Sequence, residues 1–213
     1  VPAAAWALVQ RDVAARTRVC AYDRAGLGWS ESGDAGFQID GVATDLRALL
    51  ERAGERPPFI VVGAELGAAF AERFAARYPD DTAALVLVDP PDPAAGPPAS
   101  SLGARTSPWL ARIGALRLLR RFERQAATDL PPQSAAAAAT FMSRPDHLTR
   151  SAVEVGSWSA VVSVDPQRLR RDLPVFQVLY DGSTTFAHLT VARNARDIST
   201  TIDQAVGRVA SAP

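Results

Sequence analysis

The sequence predicts an α/β fold: a doubly wound, mostly parallel sheet into which a helical lobe is inserted. Three observations lead there. Strand-like and helix-like segments alternate from Ala4 to Asp89. Two of the strands, FIVVGA at Phe59–Ala64 and AALVLVD at Ala83–Asp89, are continuous apolar runs of the kind buried on both faces in parallel sheets. A further strand, VFQVLY at Val175–Tyr180, returns after a stretch from Pro108 to Trp158 that holds only helical signals. At 213 residues the chain is long enough to bury one ordinary core.

Taken in order, Trp6, Leu8, Val9 and Val13 recur mostly every three or four residues and predict a helix over Ala4–Ala15. TRVCAYD, Thr17 to Asp23, is expected as a buried strand, with Cys20 a small hydrophobe in it rather than a reactive thiol. RAGLGWSESGDAG, Arg24 to Gly36, is a glycine-rich loop. Asp23 and Arg24 are expected to hold it together. Its glycines lack the third member of G-x-G-x-x-G, because that spacing falls on Glu31, so a dinucleotide cradle is not indicated. Ile39, Val42, Leu46, Leu49 and Leu50 mark one face of a helix that Gly54 and Pro57 end. After the strand at Phe59–Ala64, a helix runs from Glu65 to Tyr78 until Pro79 stops it, and the strand at Ala83–Asp89 follows. PPDPAAGPPASS is a proline-rich linker into the helical lobe, where His147 is expected at the surface. Beyond Pro174 and VFQVLY, a weaker strand is expected at Ala187–Ala192 and a closing helix at Thr200–Val209. The organisation is a core in two parts, 1–95 and 173–213, with a helical insertion at 96–172.

Composition removes several function classes. The 23 basic residues balance 23 acidic ones, which offers nucleic acid no basic field. All 23 are arginine, so a Walker lysine and a Schiff-base lysine are both excluded. One cysteine, Cys20, and two histidines, His147 and His188, leave little for a metal centre; neither a metal nor a cofactor is expected. No apolar run reaches the roughly eighteen residues that span a bilayer. The chain is therefore expected to be soluble, and cytoplasmic unless a signal or anchor precedes Val1.

The order YDRAGLGWS, a helix, then PPFIVVGAELGAAFAERFAARYPDDTAALVLVDP resembles the α/β-hydrolase fold family, and the helical insertion is similar to that family's cap. The resemblance implies that the first strands of the family's sheet, and one donor of its oxyanion hole, lie upstream of Val1. In the family a sharp turn, G-x-S-x-G, lifts a nucleophile above the sheet, with small residues where backbones crowd. Gly63 and Gly67 stand in those places, yet the residue between them is Glu65, not serine. The backbone N–H of Leu66 matches the remaining oxyanion donor. NARDISTTIDQAVGRV, from Asn194, is similar to the closing segment in which G-H-x-I supplies the general base, and Arg196 stands at the histidine position. A guanidinium holds its proton throughout ordinary pH and takes none from a nucleophile. The acid position falls on Asp181, with Asp89 as the alternative. The connection from Ser183 to Val191 is shorter than the family's.

The resemblance thus implies ester- or acyl-hydrolase ancestry with the catalytic positions lost. A small apolar ligand, an ester or a protein remain the expected partners. Carboxylate nucleophiles occur in dehalogenase- and epoxide-hydrolase-like members, but these use aspartate and a histidine that activates water. The structural role open to Glu65 is to face the positive end of the following helix. Replacing serine by Glu65 and histidine by Arg196 also sets opposite charges at positions that face each other in the parent geometry, so an ion pair between them is expected.

Overall fold

The computed structural model describes residues 1–32, 37–94, 101–114, 129–141, 143–163, 168–180 and 189–211. They divide into two compact units. One comprises Gln38–Ala95, Ser159–Asp181 and Thr200–Pro213; the other comprises Val1–Phe37, Gly96–Trp158 and Gly182–Ser199.

The unit that begins at Gln38 holds the sheet. Strands β1 (Phe59–Ala64), β2 (Thr82–Val88) and β3 (Val175–Val178) lie parallel in the order β1-β2-β3. Parallel neighbours need a crossover, and between β1 and β2 it is α3 (Leu66–Arg77), which packs on both strands. Its small side chains Ala68, Ala71 and Ala75 meet Leu85, Leu87 and Leu173 in a buried cluster. Phe74 on the same helix is fully buried. Helix α2 (Gly41–Arg52) packs on α3. It ends in a Schellman turn: Glu55 N–H reaches Leu50 O, Gly54 N–H reaches Glu51 O, both at 3.0 Å, and Gly54 takes φ 73°, which only glycine adopts without penalty. Arg47 ties this layer down through Asp81 and Glu51.

The unit that begins at Val1 is helical. A 3₁₀ turn at Ala3–Trp6 leads into α1 (Ala7–Ala14), in agreement with the periodicity. Helix α4 (Ser101–Arg112) packs against α6 (Pro145–Gly156), with Ala111 and Leu148 buried between them, and α5 (Pro132–Phe141) includes the alanine run. The short α7 (Trp158–Val162) and the long α8 (Ala192–Ala210) each have residues in both units. The segment RRFER, Arg120 to Arg124 in the helical insertion, lies outside the described residues.

Four expectations are corrected here. Thr17–Asp23 forms no strand, and Cys20 is exposed. Burial alternates residue by residue from Thr17 to Tyr22, the period of an extended chain, but a strand exists only through a hydrogen-bonded neighbour and none of the three strands pairs with it. The FIVVGA strand is half-buried over its first four residues, because β1 is flanked on one side only among the described residues. The weak strand at Ala187–Ala192 is absent where it is described: Leu189 and Thr190 are already helical. Finally, the closing helix starts at Ala192, well before Thr200, since its buried stripe begins at Ala195 and continues through Ile198, Ile202 and Ala205.

Candidate active site

At the carboxyl end of β1 the chain turns into α3 within one residue. That residue is Glu65, with φ 50° and ψ −127°, a conformation that costs a side-chain-bearing residue roughly 1 to 3 kcal/mol. Gly63 shows why the turn demands small neighbours: a Cβ there would sit 2.2 Å from Gly67 O and 2.6 Å from Ala68 N. The turn is fastened by Glu65 N–H to Val88 O at 3.0 Å and by Ala68 N–H to Glu65 O at 2.8 Å. Helical geometry leaves the N–H groups of Leu66 and Gly67 without intrahelical acceptors, and these lie next to residue 65. The Glu65 side chain is exposed and makes no capping hydrogen bond to α3, so the helix-capping role is not filled by a direct bond.

Beside it, Asp89 follows β2 and is the other non-glycine residue with positive φ among those described, at 44°. Ala64 and Val88 are register partners, so Glu65 and Asp89 occupy neighbouring positions at the same edge of the sheet. Asp89 N–H donates to Val178 O at 2.9 Å, and its Oδ1 accepts the Tyr180 N–H at 2.8 Å. The carboxylate thereby staples the end of β3 to β2. Asp181, the expected acid, lies outside the described residues, as does His188.

Arg196 lies on the second turn of α8 with its side chain exposed, in the helical unit, whereas Glu65, Leu66 and Asp89 belong to the sheet unit. The position expected to present a base from a loop is therefore helical. Both members of the expected ion pair are exposed, so the large cost of breaking a buried pair does not apply to them.

A polar cluster, of which the sequence announced only Asp23 and Arg24, holds the glycine-rich loop. Asp23 is its hub: Oδ1 accepts the Ala3 N–H at 2.7 Å and Oδ2 the Trp29 N–H at 3.2 Å. Arg24 makes a two-pronged ion pair with Glu154 of α6, Nε to Oε1 at 3.2 Å and Nη2 to Oε2 at 2.5 Å, and Arg150 Nε reaches Oε1 at 3.2 Å. Burial alone would raise the Glu154 pKa, but the charge and hydrogen bonds of Arg24 bring it below the ordinary carboxylate value. Burial would likewise lower that of Arg24, and Glu154 holds it above the usual guanidinium value. His147, expected at the surface, is buried instead: its Nδ1 accepts the Gly28 N–H at 3.0 Å and its ring stacks on Phe141. The available signal was the spacing of Arg144, His147, Arg150 and Glu154 along α6, which is close to helical. Asp23 and Arg24 thus hold the loop, as expected.

Among the described residues no group of three or more histidine, cysteine, aspartate or glutamate side chains could hold a metal ion. No described helix is long and apolar enough to cross a membrane.

The sequence profile of the alpha/beta hydrolase fold matches residues 3–180. The chain belongs to the α/β-hydrolase fold family. An AB hydrolase superfamily protein of Gibberella zeae is 40% identical over 77 residues, covering 35% of this chain and 23% of that protein. An uncharacterized vacuolar membrane protein of Saccharomyces cerevisiae is 41% identical over 73 residues, 34% of this chain and 11% of its own length. The chain therefore spans only a small part of the relatives it matches. Two solved structures show the same fold: Cfl2 from Burkholderia cenocepacia (TM-score 0.67, 19% identity, 93% of this chain and 83% of that one) and an N-formylmaleamic acid deformylase from Pseudomonas putida (TM-score 0.62, 24% identity, 94% and 76%). At such identities the α/β-hydrolase likeness concerns the fold.

Proposed function

We propose that this α/β-hydrolase-fold protein descends from ester- or acyl-hydrolysing enzymes, has lost their nucleophilic chemistry, and binds a small apolar ligand or ester without turning it over. The observation that carries the reading is Glu65: the turn keeps the backbone strain and the small neighbours Gly63 and Gly67 that present a nucleophile, but the residue presented is a carboxylate. Arg196 adds to it, since a guanidinium accepts no proton and a nucleophile without a paired base is weak.

The test is turnover of short aryl esters by the purified chain, together with labelling by a serine-directed fluorophosphonate. Loss of a competent triad costs on the order of 10⁶ in kcat, so hydrolysis should equal that of buffer and no serine should be labelled. Glu65→Ser alone should restore nothing, because members of one catalytic unit act together. Turnover that the fluorophosphonate abolishes would overturn the reading and make the protein an active hydrolase working through other residues.

A further inference from the structure

The Gly28–His147 contact does no work in the proposed function, and its chemistry is one-directional. A backbone N–H can only donate, so Nδ1 of His147 has to be an unprotonated acceptor, and the ring proton of the neutral imidazole sits on Nε2. The same glycine is held from its other side by Arg144 Nη1, which donates to Gly28 O at 3.0 Å. The next residue, Trp29, packs edge-on against Phe141 of α5, with ring centroids 4.7 Å apart, and Phe141 stacks on His147. Gly28 cannot be replaced without moving Asp23, whose carboxylate lies 2.2 Å from where a Cβ would be. The loop is thus clasped at Gly28 by His147 and Arg144 and at Trp29 by Phe141 of α5.

We propose that His147 is an acid-operated latch: protonation turns Nδ1 into a donor facing the Gly28 N–H, the hydrogen bond becomes a repulsion, and the Gly26–Ser30 loop lets go of α5 and α6 while the rest of the protein stays folded. The charged side chains facing the imidazole are Arg24 at the base of the loop, and Arg144 and Glu154 at and within α6. Helix α5, PQSAAAAATF, brings none. Burial first, then Arg144 and Arg24, lower the pKa of His147, to about 4, against the opposing pull of Glu154, so the latch is closed at neutral pH and opens in acid. The Arg24–Glu154 ion pair at the base of the loop does not involve the imidazole, so protonating Nδ1 does not of itself break it.

The experiment is a titration of the ¹⁵N-labelled full chain from pH 7 to pH 3.5, following the His147 ring, the Gly28 amide and the amides of β2. The expected result is that the Gly28 amide shifts and loses exchange protection in step with His147, with a midpoint near pH 4, while β2 stays protected. In His147→Asn, whose side-chain carbonyl can accept the same hydrogen bond but does not titrate, the Gly28 transition should vanish. A Gly28 amide that stays constant while His147 titrates overturns the proposal. So does loss of β2 protection at the same midpoint, which is global unfolding, and so does an unchanged transition in His147→Asn. Should that variant fail to fold, the wild-type comparison of Gly28 with β2 decides by itself.

Discussion

Residue 65 shows how far a single position can be read. The pair Gly63 and Gly67 locates the turn from the sequence, because the crowding of Gly63 against Gly67 O follows from strand-to-helix geometry whatever the central residue is. Exposure is another matter. Whether Glu65 and Arg196 answer each other depends on the surroundings of two side chains, and no local pattern encodes those. Both are exposed, which places any attraction between them in the regime where solvent screens charges and side-chain entropy opposes pairing. A double-mutant cycle of Glu65→Gln and Arg196→Gln, read by urea unfolding, is accordingly expected to give a coupling of no more than about 1 kcal/mol. A coupling of several kcal/mol would mean that the two side chains are shielded together in solution as a structural ion pair.

Elements were legible where their evidence is local and illegible where it is not. The FIVVGA and AALVLVD strands, the helices that separate them and their stops at Gly54 and Pro79 all follow from short-range pattern, and they form within a residue or two of the expected places. TRVCAYD has strand composition too, yet a strand is a relation between two segments, and its partner is not written in its own residues. At α8 the apolar stripe from Ala195 onward was present in the sequence, but the closing helix was expected only from Thr200. Helix α6 gives the opposite lesson: His147 was expected at the surface, and tertiary contact buries it and makes its helix an anchor. Glu154 is buried beneath Arg24 and Arg150, so Glu154→Ala leaves a desolvated guanidinium without its counter-charge and should cost about 3 to 5 kcal/mol of stability. Glu154→Gln, which can still accept a hydrogen bond from Arg24, should cost less. Equal and small losses in chemical denaturation would show that Arg24 finds water when Glu154 is gone and that the pair is not holding the loop.

For the whole molecule, a formal net charge of zero means that its acid response comes from individual buried groups and not from self-repulsion already present at neutral pH. Two of these groups act in the same direction. His147 binds its proton more weakly folded, at about 4, than at the ordinary 6.5, so between those values the unfolded chain takes up more protons and stability falls as pH falls. At about 1.4 kcal/mol per unit, the loss over that window amounts to roughly 3.5 kcal/mol at most, and below pH 4 this group adds nothing further. Glu154, whose folded pKa lies below the ordinary 4.5, contributes stability that is fully present above that value and is lost as pH drops through the folded one. The two windows overlap at their junction, so the unfolding free energy should be flat above about pH 7 and decline through His147 toward pH 4, with Glu154 adding its own loss as the pH falls below about 4.5. Urea unfolding at half-unit pH steps would resolve the two limbs. His147→Asn should flatten the upper limb and leave the lower one, and Glu154→Gln should do the reverse. A wild-type profile that is level from pH 6.5 to pH 4 would mean that His147 is solvated and neutral by no constraint of the fold, which would remove the basis of the latch as well.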